Sequence, residues 1–273
     1  WLERPALLLP GTATADEPAP ATVAGPSAHL LTGFPILPTG AGQLRLLDEK
    51  FPAGEKDDLR RAAFAQILQW FPQDPETVFQ AKVSLLLLDE DRLGHLAYAE
   101  AIAQLLTQYD QQVSHSLRAW AEYLEACARW QANQSPAALQ RLQKMARDEK
   151  LNAFRRTWAA FEAGKCLLEK KPKDAAAFLT PFAEMEAEAQ PKIVALLLRA
   201  HARAGDATAL KKWLAGFAAQ HRDTADALLA GALAALAEDL ENLPDKARPS
   251  VFSALGAIVR DATDFPKAHP ALI

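Results

Sequence analysis

The sequence predicts an all-α protein: an α-solenoid of antiparallel helical hairpins behind a Pro-rich, extended N-terminal segment. Three observations carry that prediction. Alanine and leucine dominate and long β-branched runs are scarce, a composition that favours helix over strand. Apolar residues recur at three- and four-residue steps through most of the chain. The helix breaks also keep a rhythm: the second helices of successive hairpins start near Ser135, Asp174 and Asp206, roughly 32 to 39 residues apart.

The clearest hairpin runs from Pro191 to Asp223. Ile193, Val194, Leu196, Leu197 and Leu198 make an apolar first helix. Ala204-Gly205-Asp206 breaks it, with Gly205 suited to the left-handed conformation that ends helices and Asp206 suited to capping the next one. Leu210, Trp213, Leu214 and Phe217 then fall on one helical face. A single hairpin cannot bury that much apolar surface and needs neighbours of its own kind.

Upstream, residues 1 to 54 form a separate segment. They hold eight of the 18 prolines and six of the 12 glycines, and the run Gly11 to Pro26 cannot bury a core, so it reads as extended linker. Phe34, Ile36 and Leu37 are candidates to dock on the helical body, and a short helix fits Gln43 to Glu49. The helical-repeat domain is placed at 55 to 273. Its first helix begins at Asp57 and Asp58, whose charge suits a first turn, and carries Leu59, Ala63, Phe64, Ile67, Leu68 and Phe71. Phe71-Pro72-Gln73-Asp74-Pro75-Glu76 is a stop and restart. The helix over 76–89 is apolar on most sides and should be deeply buried. One further helix is expected over 92–108, another over 116–131, and Ser135-Pro136 opens the next with a capping serine. A helix over 153–169 precedes the turn Lys170 to Lys173, with Asp174 capping its partner. Helices over 223–237 and 248–261, then an extended tail from Thr263, complete the reading.

The composition bounds the function. A chain of 273 residues, half of them hydrophobic, can build a substantial core. Thirty basic and 34 acidic residues give a charge of −4, which argues against a dedicated nucleic-acid binder. No apolar stretch is long enough to span a bilayer, so no transmembrane segment is expected. Cys127 and Cys166 each sit in an apolar helical pattern and read as small buried hydrophobes, with a disulfide as the sharper alternative. Opening at Trp1 rather than Met, the chain reads as a processed or excised product.

At the level of motifs, the chain resembles the tetratricopeptide repeat family over residues 57 to 240. Gly205-Asp206 followed by Leu210, Leu214 and Phe217 matches the second half of such a repeat, with Leu210 where the family prefers alanine. Gly164, Ala176 and Ala183 are spaced like the small packing residues of the repeat before it. Ala63 with the Phe-Pro-Gln-Asp-Pro join looks like the end of another. HEAT-like and other hairpin repeats share the same rhythm. The join also resembles those of bacterial envelope members of the family, which implies a periplasmic or cell-envelope location, with a cytoplasmic one as the alternative.

The resemblance implies a TPR-like superhelix, bacterial in origin, whose first helices line a concave groove that binds a protein or peptide. In that register Lys192, Arg199 and Arg203 point into the groove. Trp158, Phe161 and Lys165 lie there one repeat earlier, and Trp120, Tyr123 and Trp130 one repeat before that. An aromatic wall beside a basic one suits an extended peptide with an acidic group, because the arginine fork donates two parallel hydrogen bonds to a carboxylate. The alternative for the same residues is inter-repeat core and solvated charge. The paired asparagines and lysines of chaperone-binding members are absent, and Glu162 stands where an asparagine is wanted.

No catalytic motif emerges. His29, His95, His115, His201, His221 and His269 show no i, i+4 pair and there is no Cys-x-x-Cys, so neither a metal nor another cofactor is expected. Ser114-His115-Ser116 reads as a helix start rather than a nucleophile and base. The acidic runs Glu184-Glu186-Glu188 and Glu238-Asp239-Glu241 read as solvated faces, and Arg141, Lys144, Arg147, Lys150, Arg155 and Arg156 as one exposed basic stripe. The sequence thus points to a non-enzymatic protein–protein interaction scaffold. Its rival is a non-catalytic helical segment of a larger enzyme, such as an envelope lytic transglycosylase.

Overall fold

Eleven α-helices, and no strand, make up the described secondary structure. The computed structural model describes residues 35–52, 57–205, 207–220, 248 and 249. The Pro-rich run Gly11–Pro26, the helix expected over 223–237, most of that over 248–261 and the tail from Thr263 lie outside the described residues. Among the described residues no helix is long and apolar enough to cross a membrane. The chain divides into two compact units, one ending at Ser135 and the other beginning at Pro136.

The first unit contains α1 (Gly40–Lys50), α2 (Asp57–Trp70), α3 (Pro75–Leu88), α4 (Glu90–Leu93), α5 (His95–Gln108) and α6 (His115–Asn133). The turn between α2 and α3 follows its sequence. Asp74 caps α3 by accepting from the Thr77 amide at 3.1 Å and from the Thr77 hydroxyl at 2.7 Å, and Pro75 takes the first turn, where no amide is needed. No residue of α3 from Thr77 on is exposed, as its all-round apolar pattern requires. The single helix expected over 92–108 is instead two. Gly94 adopts φ 78°, which ends α4 after one turn and lets α5 start at His95.

Two apolar clusters hold this unit. Leu44, Leu47, Phe64, Ile67 and Ala81 join α1, α2 and α3; Phe79, Val83, Tyr98 and Ile102 join α3 to α5, and Leu117 and Ala121 add α6. The first cluster is stitched by a buried Arg60, which donates to Asp48 at 2.8 Å and to the Phe51 carbonyl and lies over the Phe64 ring. Arg61 donates to Asp89 at 2.8 Å and so ties α2 to the end of α3.

In the second unit α7 (Pro136–Arg147), α8 (Ala153–Leu168), α9 (Pro172–Ala183), α10 (Gln190–Ala204) and α11 (Ala207–Gln220) pack in sequence, and α10 packs on α8 as well as on α9. Proline opens α7 and α9 and stands in the first turn of α10. Asp174, expected to cap α9, lies inside its first turn. The helix starts earlier, at Pro172 after Lys171, and Asp174 contributes only its charge to the helix dipole. Gly205 ends α10 at φ 67°, donating its amide to the Ala202 carbonyl at 3.1 Å. Gly164 lets α8 and α9 cross closely: a Cβ placed there meets Leu179 Cδ2 at 2.6 Å. Cys127 and Cys166 are both free thiols and both buried.

Candidate functional site

The second unit buries α8 on three sides, against α7, α9 and α10. From Thr157 to Leu168 only Phe161 and Lys165 escape burial, one helical turn apart. On α10, from Ile193 to Ala202, only Ala195 and Arg199 do so, and Lys192 and Arg203 continue their stripe at either end. Helical spacing thus leaves one narrow open stripe on each helix. The two stripes meet where Lys192 reaches across to α8, its Nζ 5.4 Å from the centroid of the Trp158 ring.

Local structure fixes these side chains. Asn152 caps α8 by accepting from the Arg155 amide at 3.0 Å. The Thr157 hydroxyl donates back to the Ala153 carbonyl at 2.9 Å, so it stays within its own helix. Trp158 then packs edge-to-face between Phe154 at 6.4 Å and Phe161 at 5.9 Å. Lys165 lies over the Phe161 ring at 5.2 Å and pairs with Glu162 at 3.1 Å. The result is a run of three rings with an ammonium over two of them: Lys192 on the central Trp158, and Lys165 on Phe161.

Burial governs the electrostatics. Removal from water pushes the Glu162 carboxyl above its ordinary range, an effect that Lys165 opposes but does not cancel. Burial, with Glu162 nearby, pushes the Cys166 thiol up to about 12 and removes it as a thiolate nucleophile at neutral pH. Burial also lowers Arg155 to about 10, which leaves it charged. The face therefore offers ring edges, cations and one internally paired carboxylate. That inventory suits binding, and among the described residues no group of three or more His, Cys, Asp or Glu side chains could hold a metal ion.

The eight candidate residues divide between the two units. Trp158, Phe161 and Lys165 on α8 and Lys192 on α10 come together, with Arg199 and Arg203 partly buried along the same stripe of α10. Trp158 is 3 % exposed, so it supports the face from beneath and offers a partner no open ring. Trp120 and Tyr123 belong to α6 in the first unit. Tyr123 is buried, and Trp120 packs against the cluster around Val78 and Tyr98. Trp130 is partly buried on the same helix.

Two features escaped the reading of the sequence. The Glu162–Lys165 pair, which spends one of the groove's expected cations internally, has a readable signal in its i, i+3 spacing. The basic stripe of α7 breaks after Lys150, because Arg155 and Arg156 turn inward and Arg156 Nε donates to the Ala146 carbonyl at 3.2 Å. Nothing in residue spacing gave that away. No protein-family model, no curated protein and no solved structure matches the chain.

Proposed function

We propose that the chain is a non-enzymatic, TPR-like helical-repeat scaffold that holds a protein or peptide partner against the paired stripes of α8 and α10. One observation carries this reading: Lys192 on α10 sits on Trp158 of α8, 34 residues earlier, as side-by-side first helices of successive hairpins require. Helix phasing supports it. The alternate helices α7, α9 and α11 start at Pro136, Pro172 and Ala207, 36 and 35 residues apart. Gly164 supports it too, as the small residue at the crossing inside a hairpin.

The partner segment carries carboxylates for Lys192, Arg199 and Arg203 and an apolar side chain for the Phe161 ring. Such a face binds through a few oriented groups rather than through area, so its hot spot is central and small. The test is capture of partners on the full chain, followed by titration of the purified partner by calorimetry. Arg199→Ala with Arg203→Ala is expected to weaken binding at least tenfold, about 1.4 kcal/mol, with helicity by circular dichroism unchanged. A folded double variant that binds as tightly as the parent removes the α8–α10 face from the interaction.

A further inference from the structure

We propose that the cleft between α7 and α9 binds a small amphiphilic anion: an aromatic or branched apolar group that carries a sulfonate, carboxylate or phosphate head. Both helices pack on α8, and between them a cleft of about 480 Å³ stays open. That volume lies within the roughly 300–1,000 Å³ of small-molecule sites, which pair apolar walls with a few placed polar groups. Leu139, Leu167 and Phe178 supply the apolar walls, one from each of α7, α8 and α9.

The polar group is Arg147. Its Cζ lies 5.3 Å from the centroid of the Phe178 ring, and its side chain is exposed. Among the described residues no carboxylate or other acceptor takes its N–H donors. A guanidinium stacked on a ring is oriented by that ring, and its edge remains open to a two-oxygen head group. The other charges in the cleft cancel: Lys171 and Asp174, both largely exposed, face each other at 4.0 Å. Asp174 stands one helical turn, about 6 Å, before Phe178 along α9, and its charge is countered by Lys171, so the guanidinium of Arg147 is the group in the cleft that recognises an anion. The apolar part of the ligand then lies over Leu139 and Leu167. The cleft is lined from α7, α8 and α9, and it shares no lining residue with the candidate face of Trp158, Phe161, Lys165, Lys192, Arg199 and Arg203.

The experiment titrates the full chain with 8-anilinonaphthalene-1-sulfonate and follows its fluorescence. N-phenyl-1-naphthylamine, the same ring system without the sulfonate, is titrated in parallel. Saturable binding of one sulfonate probe per folded chain is expected. Arg147→Gln should weaken the sulfonate probe at least tenfold and the neutral one less than twofold. Ala177→Phe, at an exposed position of the cleft, should weaken both by filling it, and circular dichroism confirms that both variants fold. The assignment fails if the folded parent shows no saturable binding, if Arg147→Gln titrates like the parent, or if both probes weaken equally in that variant.

Discussion

Glu162 is a carboxylate inside a helix interface, 6 % exposed, with Lys165 as its partner. Its raised pKa means that the folded state holds the proton more tightly than the unfolded chain does. The associated stability is present below the ordinary carboxyl range and is lost as pH rises through the folded value. Glu162→Gln removes that titration and keeps the shape. The melting temperature of the variant, relative to the parent, should therefore climb from about pH 4 to about pH 8. Paired thermal melts across that range check the sign, and a gap that narrows instead would show that the Lys165 pairing outweighs desolvation. Lys165 itself illustrates what spacing alone cannot say. Its place in the register and its i, i+3 spacing from Glu162 are legible, but the burial of Glu162 that raises its pKa shows only in the packed helix.

At the scale of the helix, Gly164 and Leu179 decide how closely α8 and α9 approach. Gly164→Leu should cost about 1–3 kcal/mol by overpacking, because Leu179 is fully buried and has nowhere to retreat. Denaturant titration measures it. A variant with parental stability would mean that the crossing can open without loss. Element boundaries were the most legible part of the fold. Pro75 and Pro136 open helices as read, because a fixed φ and a missing amide suit the first turn wherever proline stands. The exceptions are equally local. At Gly94 a positive φ split one expected helix into two, and at Lys171 the helix began before the residue expected to cap it.

For the whole chain, two compact units meet after Ser135, at a point where the helical rhythm continues without a Pro- or Gly-rich linker. Each unit nevertheless carries its own buried residues: Leu47, Ile67, Phe79 and Ile102 in the first, Leu142, Leu179, Ile193 and Leu197 in the second. Fragments 35–135 and 136–273, produced separately, should each show helical circular dichroism and a cooperative melt. If either fragment is a random coil while the intact chain is folded, the two units are not independent cores. Helical spacing in the sequence places Phe161 and Lys165 on one stripe and Lys192, Arg199 and Arg203 on another. Which members are open and which lie underneath is not legible there: Trp158 is buried against Phe154, Phe161 and Lys192, while Phe161 stays partly exposed.

Gly205 closes α10 with φ 67° and ψ 20°. Reflected in a mirror, those angles are ordinary right-handed helix. The demand at this position is therefore one of chirality. Valine there costs on the order of 1 kcal/mol or more, because an L side chain crowds its own carbonyl. A D-alanine introduced by chemical ligation meets no such conflict. It also removes freedom from the unfolded chain, a gain of about 0.4–1 kcal/mol. L-alanine meets the same crowding as valine, so one methyl group stabilises or destabilises the turn according to its handedness alone.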